Sequence, residues 1–407
     1  MSPVVLTRPS GPIRTAVRLP RSKSAANRAL IIASLLGDPE LVQDPGDGDD
    51  TRVLLRLLRE RPHDLHCGAG GTTFRFLLAW AAVQEGEEHL LTGVPRLMER
   101  PHDDLVQALR TLGAAIEKVP EGYRVKGTRL KGGTVHFDSP ISSQYLSALL
   151  LIAPVMENGL RMHWTGTRLS EPYVRMTLKL LAHFGVFPYM EMDGVRVEPG
   201  PFLKASCTVP PDWSAAAFWY EQVALSAGSE VLLAGLDNDT LQGDREAQNL
   251  WAPWVETTFT PEGARLKHRD DANATAFGPV DLRPYPDLFQ PLVVTLAGRG
   301  IDASFEGLDN LRVKETDRLQ AVALTLGKLG HACQVKDGTF TLKAKKDPGD
   351  ATSRTLDLDP QGDHRMAMSF APLALKLGSV TIQDPAVVDK SYPAFWEDLR
   401  KAGYAVE

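Results

Sequence analysis

One pattern recurs along the chain: an amphipathic stretch, a glycine, a short apolar strand, a turn and a returning strand. It is legible at residues 105–112 before Gly113, 174–184 before Gly185, 319–329 before Gly330 and 395–401 before Gly403. A glycine there suits the left-handed residue that ends a helix. The glycines recur at a period of about 72 residues, far longer than the repeat of most solenoids. One expected position, near residue 257, lacks its glycine; a helix over 246–255 is expected to run straight into a strand over 256–260. An earlier copy is expected to end at Gly37. The chain of 407 residues therefore reads as six units.

A second series of helix starts falls between these: Gly71-Thr72-Thr73, Ser142-Ser143-Gln144, Asp212-Trp213-Ser214, Asp287 and Asp363-His364, each preceding an apolar helical stretch. Two helices per unit alternating with strands predict an α/β class. A hydrophobic share of 43% with 24% charged residues is that of a soluble globular protein. The apolar run 145–156 is broken by Ser147 and Pro154 and is too short to span a bilayer, so no membrane is expected. Residues 1–17 contain no apolar core of the kind an export signal needs. Cys67, Cys207 and Cys333 are few, scattered and unpaired by spacing. That excludes a disulfide framework and a zinc site and points to a reducing, cytoplasmic setting. A net charge of −6 without aromatic and basic residues interleaved argues against a nucleic-acid partner.

In this acidic chain the basic residues collect at repeated helix starts. Lys23, Ser24 and Arg28 form one group; Arg96 and Arg100, Ser170 and Tyr173, Gln242 and Arg245, Lys314 and Arg318, and Lys390 form others. A helix start offers unpaired N–H groups and about half a positive charge. Serine, lysine or arginine added there makes an anion site, with phosphate the common guest. Each motif alone has a plainer reading. Ser22 and Ser24 read equally as caps. Lys314 and Arg318 read as a like-charged pair one turn apart. Arg365 beside His364 reads as a surface pair, Asp287 as an N-cap, and Asp49-Asp50-Thr51 as a capped start with no catalytic role.

The run Leu19-Pro20-Arg21-Ser22-Lys23-Ser24-Ala25-Ala26-Asn27-Arg28 resembles the opening motif of the EPSP synthase (3-phosphoshikimate 1-carboxyvinyltransferase) family. Gly70-Gly71-Thr72-Thr73-Phe74-Arg75, Glu99-Arg100-Pro101, Ser142-Ser143-Gln144-Tyr145 and Ser170-Glu171-Pro172-Tyr173 follow in the family's order. So do Arg312-Val313-Lys314-Glu315-Thr316-Asp317-Arg318, Asp363-His364-Arg365-Met366 and Asp389-Lys390-Ser391-Tyr392-Pro393. The resemblance covers essentially the whole chain. It implies an enolpyruvyl transferase-like, inside-out α/β barrel arrangement: two similar domains, each of three βαβαββ units. One domain would span 21–234 and the other 1–20 plus 235–407, with the active site in the cleft between them.

The resemblance also implies a reaction and a set of roles. The 5-hydroxyl of shikimate 3-phosphate attacks the central carbon of phosphoenolpyruvate while the methylene carbon gains a proton. The tetrahedral intermediate then loses that proton and inorganic phosphate. Lys23, Gly71, Arg100, Gln144, Arg318, Arg365 and Lys390 would hold phosphoenolpyruvate. Lys23, Ser24, Arg28, Ser142, Ser143, Gln144, Ser170, Tyr173, Asp287, Asn310 and Lys314 would hold shikimate 3-phosphate. Asp287 fits the base at the attacking hydroxyl, and Glu315 or Lys23 the group that handles the methylene proton. Lys314 and Arg318 beside Glu315 favour its ionised form, whereas an acid must hold its proton. No metal or organic cofactor is implied, and a monomer is expected. The chain departs from the family pattern at Arg21, Ala69 and Gly362, and in the segment before Asp287. The related UDP-N-acetylglucosamine enolpyruvyl transferases usually carry a reactive cysteine in the loop matching 94–101, and none stands there. An inactive anion-binding protein of the same fold is the remaining alternative; it has no need of Lys23, Asp287, Glu315 and Arg365 together.

Overall fold

The computed structural model describes residues 2–140, 142–166, 170–239, 241–269, 276–346 and 355–407. The chain divides into two compact units, one of Met1–Pro20 and Pro211–Glu407, the other of Arg21–Pro210. The second division precedes the expected one near Gly235. Two elements decide this. The helix Trp213–Leu225 packs on the helix Phe289–Gly298, and the strand Glu230–Ala234 pairs with Arg14–Val17 and Gly263–His268. Both sets of partners belong to the later unit, so residues 211–234 go with it.

Five four-stranded sheets share one plan: two parallel strands, then two antiparallel ones. In the Arg21–Pro210 unit, Asp64–His66 runs parallel to Glu88–Thr92, which pairs antiparallel with Gly122–Lys126 and through it with Ala115–Val119. Gly133–Asp138, Leu160–Thr165, Gly194–Val197 and Tyr189–Met190 repeat that order. Among the described residues the early copy is a two-stranded pair, Val42–Gln43 running parallel to Cys207–Thr208. The other unit holds three such sheets. The first twenty residues belong to it because Val4–Thr7 pairs with Ser379–Ile382 and with Ala405–Val406. Leu6 lies opposite Val380, and both are fully buried.

The two helix series occupy different layers. Lys23–Leu35, Gly71–Ala82 and Ser143–Ile152 pack on one another inside one unit. Trp213–Leu225, Phe289–Gly298 and His364–Phe370 do the same inside the other. Twelve of the thirteen residues of Trp213–Leu225 are buried, Ser214 being the exception. A helix apolar all round has to be interior. The other series is amphipathic: Asp49–Glu60 buries Leu54, Leu57 and Leu58 together with Asp50 and Thr51, and exposes Arg52, Arg56, Arg59 and Glu60. Gly37, Gly113, Gly185, Gly330 and Gly403 all have positive φ, as the repeat requires. The helix expected over 246–255 shrinks to Gly243–Glu246 and Ala247–Leu250; a turn carrying the buried Trp251 and Trp254 intervenes before the strand Val255–Thr260. Burying two indoles there outweighs the weak preference of the segment for helix. Among the described residues no helix is long and apolar enough to cross a membrane.

Candidate active site

Functional side chains of the Arg21–Pro210 unit gather at the starts of its helices. Ser22 caps Lys23–Leu35, its hydroxyl accepting from the Ala25 amide, and Lys23 opens the first turn. The Lys23 Nζ meets Asp50 Oδ2 at 2.9 Å. Asp50, read from sequence as part of a cap, thus fixes the lysine. One turn on, Arg28 is 1% exposed. Its guanidinium donates to Thr177 Oγ1 (2.8 Å), Ser147 Oγ (3.1 Å) and the Ser24 carbonyl (2.7 Å), with the Tyr173 ring 6.0 Å away. All of these acceptors are neutral. Burial lowers the pKa of Arg28 to about 10. A buried cation that meets no carboxylate among the described residues is suited to receive an anion.

The remaining helix starts frame it. A Cβ placed on Gly71 would lie 2.6 Å from Arg100 Nη1, so the absence of a side chain is what lets the buried guanidinium lie on the helix start. Gln144 accepts from Arg75 at 2.6 Å and donates to Thr72 Oγ1 at 3.0 Å. Ser142 caps Ser143–Ile152 through the Gln144 amide, and Ser143 is buried. Ser170 precedes Glu171–His183 with φ of 54°, an unusual left-handed serine, and is also buried.

The other unit brings together charges of both signs. Arg318 begins the helix Arg318–Lys328 and is 2% exposed. Its guanidinium meets Asp363 Oδ2 at 2.7 Å, Asp287 Oδ1 at 3.0 Å and Glu315 Oε2 at 3.2 Å. Asp287 Oδ2 also receives Arg365 Nη2 at 3.0 Å, and Glu315 Oε1 receives Lys390 Nζ at 2.7 Å. Asp363 additionally caps His364–Phe370 through the Arg365 amide. Lys314 lies before the helix rather than on it, so no like-charge penalty along one helix face arises; its field acts on Asp287. Asn310 is buried in Asp309–Val313, the segment leading to Lys314. Arg365 and His364 are both buried and form no surface pair.

The chemistry of the helix starts therefore differs between the units. In one, Ser22, Gly70 and Ser142 stand before the inner helices, whose first turns carry no acid, and leave those starts electropositive. In the other, Asp212, Asp317 and Asp363 are the caps. Those carboxylates satisfy the free amides themselves, so anion capture there falls to side-chain cations.

Burial pushes the Asp287 carboxyl up, but Arg365, Lys314 and Arg318 together outweigh it and hold it well below the usual carboxylate range. Burial would lower Arg318; Asp363, Glu315 and Asp287 reverse that and raise it. Asp244 behaves oppositely to Asp287. Burial first, and then the nearby Asp287, push it up to about 7, while the charge of Arg365 and then the hydrogen bond from Ser214 only partly compensate. The sequence marks its neighbours Gln242 and Arg245, and an acid inside a basic series is the signal for Asp244 itself. Asp50 and Asp363 left no comparable signal, because their partners are distant in the chain.

Asp244 makes a testable contribution to stability. Its folded pKa exceeds that of an unfolded aspartate, about 3.9. The stability it contributes is therefore complete below that value and is lost as pH rises through about 7. Asp244→Asn is expected to gain stability relative to the parent at pH 8 and to lose that advantage below pH 4. Urea denaturation at the two pH values reads the difference; an equal offset at both would contradict the buried, destabilised acid.

The sequence model of the EPSP synthase (3-phosphoshikimate 1-carboxyvinyltransferase) family matches residues 7–61 and 60–399. A 3-phosphoshikimate 1-carboxyvinyltransferase of Bacteroides fragilis is 39% identical over 97% of this chain and 97% of its own. One of Syntrophobacter fumaroxidans is 33% identical over 97% of this chain and 98% of its own. A solved structure of EPSP synthase from Acinetobacter baumannii shares the fold with a TM-score of 0.73 at 22% identity, covering both chains completely. A recurrent two-helix α/β unit, cations at the helix starts and full-length similarity converge on one conclusion: the chain belongs to the EPSP synthase family.

Proposed function

We propose that the protein transfers the enolpyruvyl group of phosphoenolpyruvate to the 5-hydroxyl of shikimate 3-phosphate and releases inorganic phosphate. The observation that carries this reading is the carboxylate-linked chain of Arg365, Arg318 and Lys390 through Asp287 and Glu315. Three cations are held beside two carboxylates that have proton-transfer roles to fill. Lys23, Gly71, Arg100 and Gln144 act with Arg318, Arg365 and Lys390 on phosphoenolpyruvate. Lys23, Ser24, Arg28, Ser142, Ser143, Gln144, Ser170 and Tyr173 act with Asp287, Asn310 and Lys314 on shikimate 3-phosphate. Turnover requires both sets to serve one pair of substrates. Three thiols kept protonated by burial fit a protein working in the reducing cytoplasm.

The charges explain how substrate readies the site. With Arg365 and Arg318 beside it, Asp287 is a weak base. A phosphate and carboxylate arriving at those cations take up part of their field, and the basicity of Asp287 rises. Asp287 then accepts the 5-hydroxyl proton as the oxygen bonds to the central carbon of phosphoenolpyruvate. Glu315, relieved of part of the field of Lys390 and Arg318, or Lys23, delivers a proton to the methylene carbon. In the second step the methyl group returns a proton to the group that delivered it, the carbon–oxygen bond to phosphate breaks, the double bond re-forms, and the proton held by Asp287 leaves with the phosphate. Fixed cations in a water-poor site stabilise the transferring phosphate and carboxylate throughout.

Phosphate release that requires both substrates tests the activity; release from phosphoenolpyruvate alone, or none, would reject it. Arg100→Ala and Lys390→Ala, one in each unit, are both expected to weaken phosphoenolpyruvate binding by about ten-fold or more, as loss of a charge-assisted contact does. Unchanged isotherms for either would remove that residue from the site. Gly71→Ala is expected to fold normally, since only the flexible end of Arg100 must yield, and to raise the KM for phosphoenolpyruvate. A KM change confined to shikimate 3-phosphate would contradict this. Arg28→Ala should mainly weaken binding of shikimate 3-phosphate.

A further inference from the structure

Phe289–Gly298 carries Asp287 just before its start and a second set of cations at its other end, about 15 Å along the axis. There Arg299, Lys345, Lys346 and Lys376 surround a cavity of about 140 Å³. Its apolar lining comes from Ala297, Leu329, Leu373 and Leu377. Arg299 Nη1 donates to the Ala224 carbonyl at 2.6 Å, and the guanidinium lies 5.5 Å from the centre of the Trp254 ring. Its Nε is buried without a hydrogen-bond partner. Among the described residues, none of the four cations has a carboxylate within ion-pair distance.

Cations at a helix end complement its dipole, which accounts for Arg299 at the end of Phe289–Gly298 and Lys376 in Ala374–Leu377. It does not account for Lys345 and Lys346, which follow the strand Thr339–Lys343. Burial lowers Arg299; burial, and then the charge of Arg299, lower Lys376. Two partly desolvated cations thus line one pocket together with apolar side chains, a costly arrangement that an anion would relieve. The space suits one ring, since an apolar cavity of about 150 Å³ holds benzene.

We propose that this cavity binds a small single-ring carboxylate, its ring on Ala297, Leu373 and Leu377 and its carboxylate between Arg299 and Lys376. The site is separate from the transferase reading and stands or falls without it. Calorimetric titration of the full chain with benzoate tests it, with acetate as the charge without the ring. Benzoate is expected to bind saturably and more tightly than acetate. Lys376→Gln is expected to weaken benzoate about ten-fold, Lys346→Gln to weaken it in the same direction, and both to leave substrate turnover unchanged. Arg100→Gln is expected to leave benzoate binding intact. Absence of saturable benzoate binding, equal affinity for acetate, or an affinity that responds to Arg100→Gln and to neither lysine variant would overturn the proposal. Should Lys376→Gln fail to fold, the exposed Lys346→Gln decides.

Discussion

Replacing Asp287 by Asn is expected to lower kcat by about 10²- to 10⁴-fold, the range for loss of a general base, with little change in the binding of either substrate. Asn keeps a carbonyl oxygen to receive Arg318 or Arg365, now 3.0 Å from each carboxylate oxygen, so the local frame persists. What it cannot do is accept the hydroxyl proton. The pH profile supplies a second readout. In the free enzyme the cations hold the Asp287 carboxyl well below its ordinary range, so kcat/KM should retain its base down to acid pH. With substrate anions on Arg365 and Arg318 that field is partly neutralised. The acid limb of kcat should therefore lie at higher pH than that of kcat/KM. Coincident limbs in the parent, or near-normal turnover in the variant, would remove Asp287 from proton transfer.

Arg318→Leu is expected to cost about 3–5 kcal/mol of folding stability, the scale for removing one partner of a buried charge network, and to abolish detectable phosphoenolpyruvate binding. Arg318 is 2% exposed and touches three carboxylates; Asp363, one of them, is fully buried. Without the guanidinium those acids face one another in a poorly solvated space. The pH dependence distinguishes this cause from lost packing. In the parent, Asp287 has a depressed folded pKa. Its contribution is present above the unfolded value, about 3.9, and is lost as pH falls through the folded one. In the variant the neighbouring acids are expected to titrate above their unfolded values, so the deficit should shrink as pH is lowered from 7 to 5. A deficit constant across that interval would point to a cavity instead.

The repeat was legible because backbone conformation imposes it locally: Gly113, Gly185, Gly330 and Gly403 each take the left-handed conformation their positions demand. One-sided apolarity marked the outer helices before any packing was known; the inner ones read only as apolar stretches, and the tertiary structure showed them buried on all sides. The short strand pair Val42–Gln43 with Cys207–Thr208 was not legible, because its partners lie far apart in the chain and too few residues carry the alternation. The resemblance places residues 211–234 in the earlier unit; side-by-side pairing of Glu230–Ala234 with Arg14–Val17 puts them in the later one.

The site divides along the same line. The sequence by itself determined which cations and hydroxyls stand at helix starts, since a cap and its first turn are neighbours in the chain. Only the tertiary structure decided their electrostatic state. Asp50 on Lys23, Asp363 on Arg318 and the split between a suppressed Asp287 and a raised Asp244 arise from charges tens of residues apart brought within a few ångströms. Coulomb energy depends on distance and burial, and neither is written in the order of the residues.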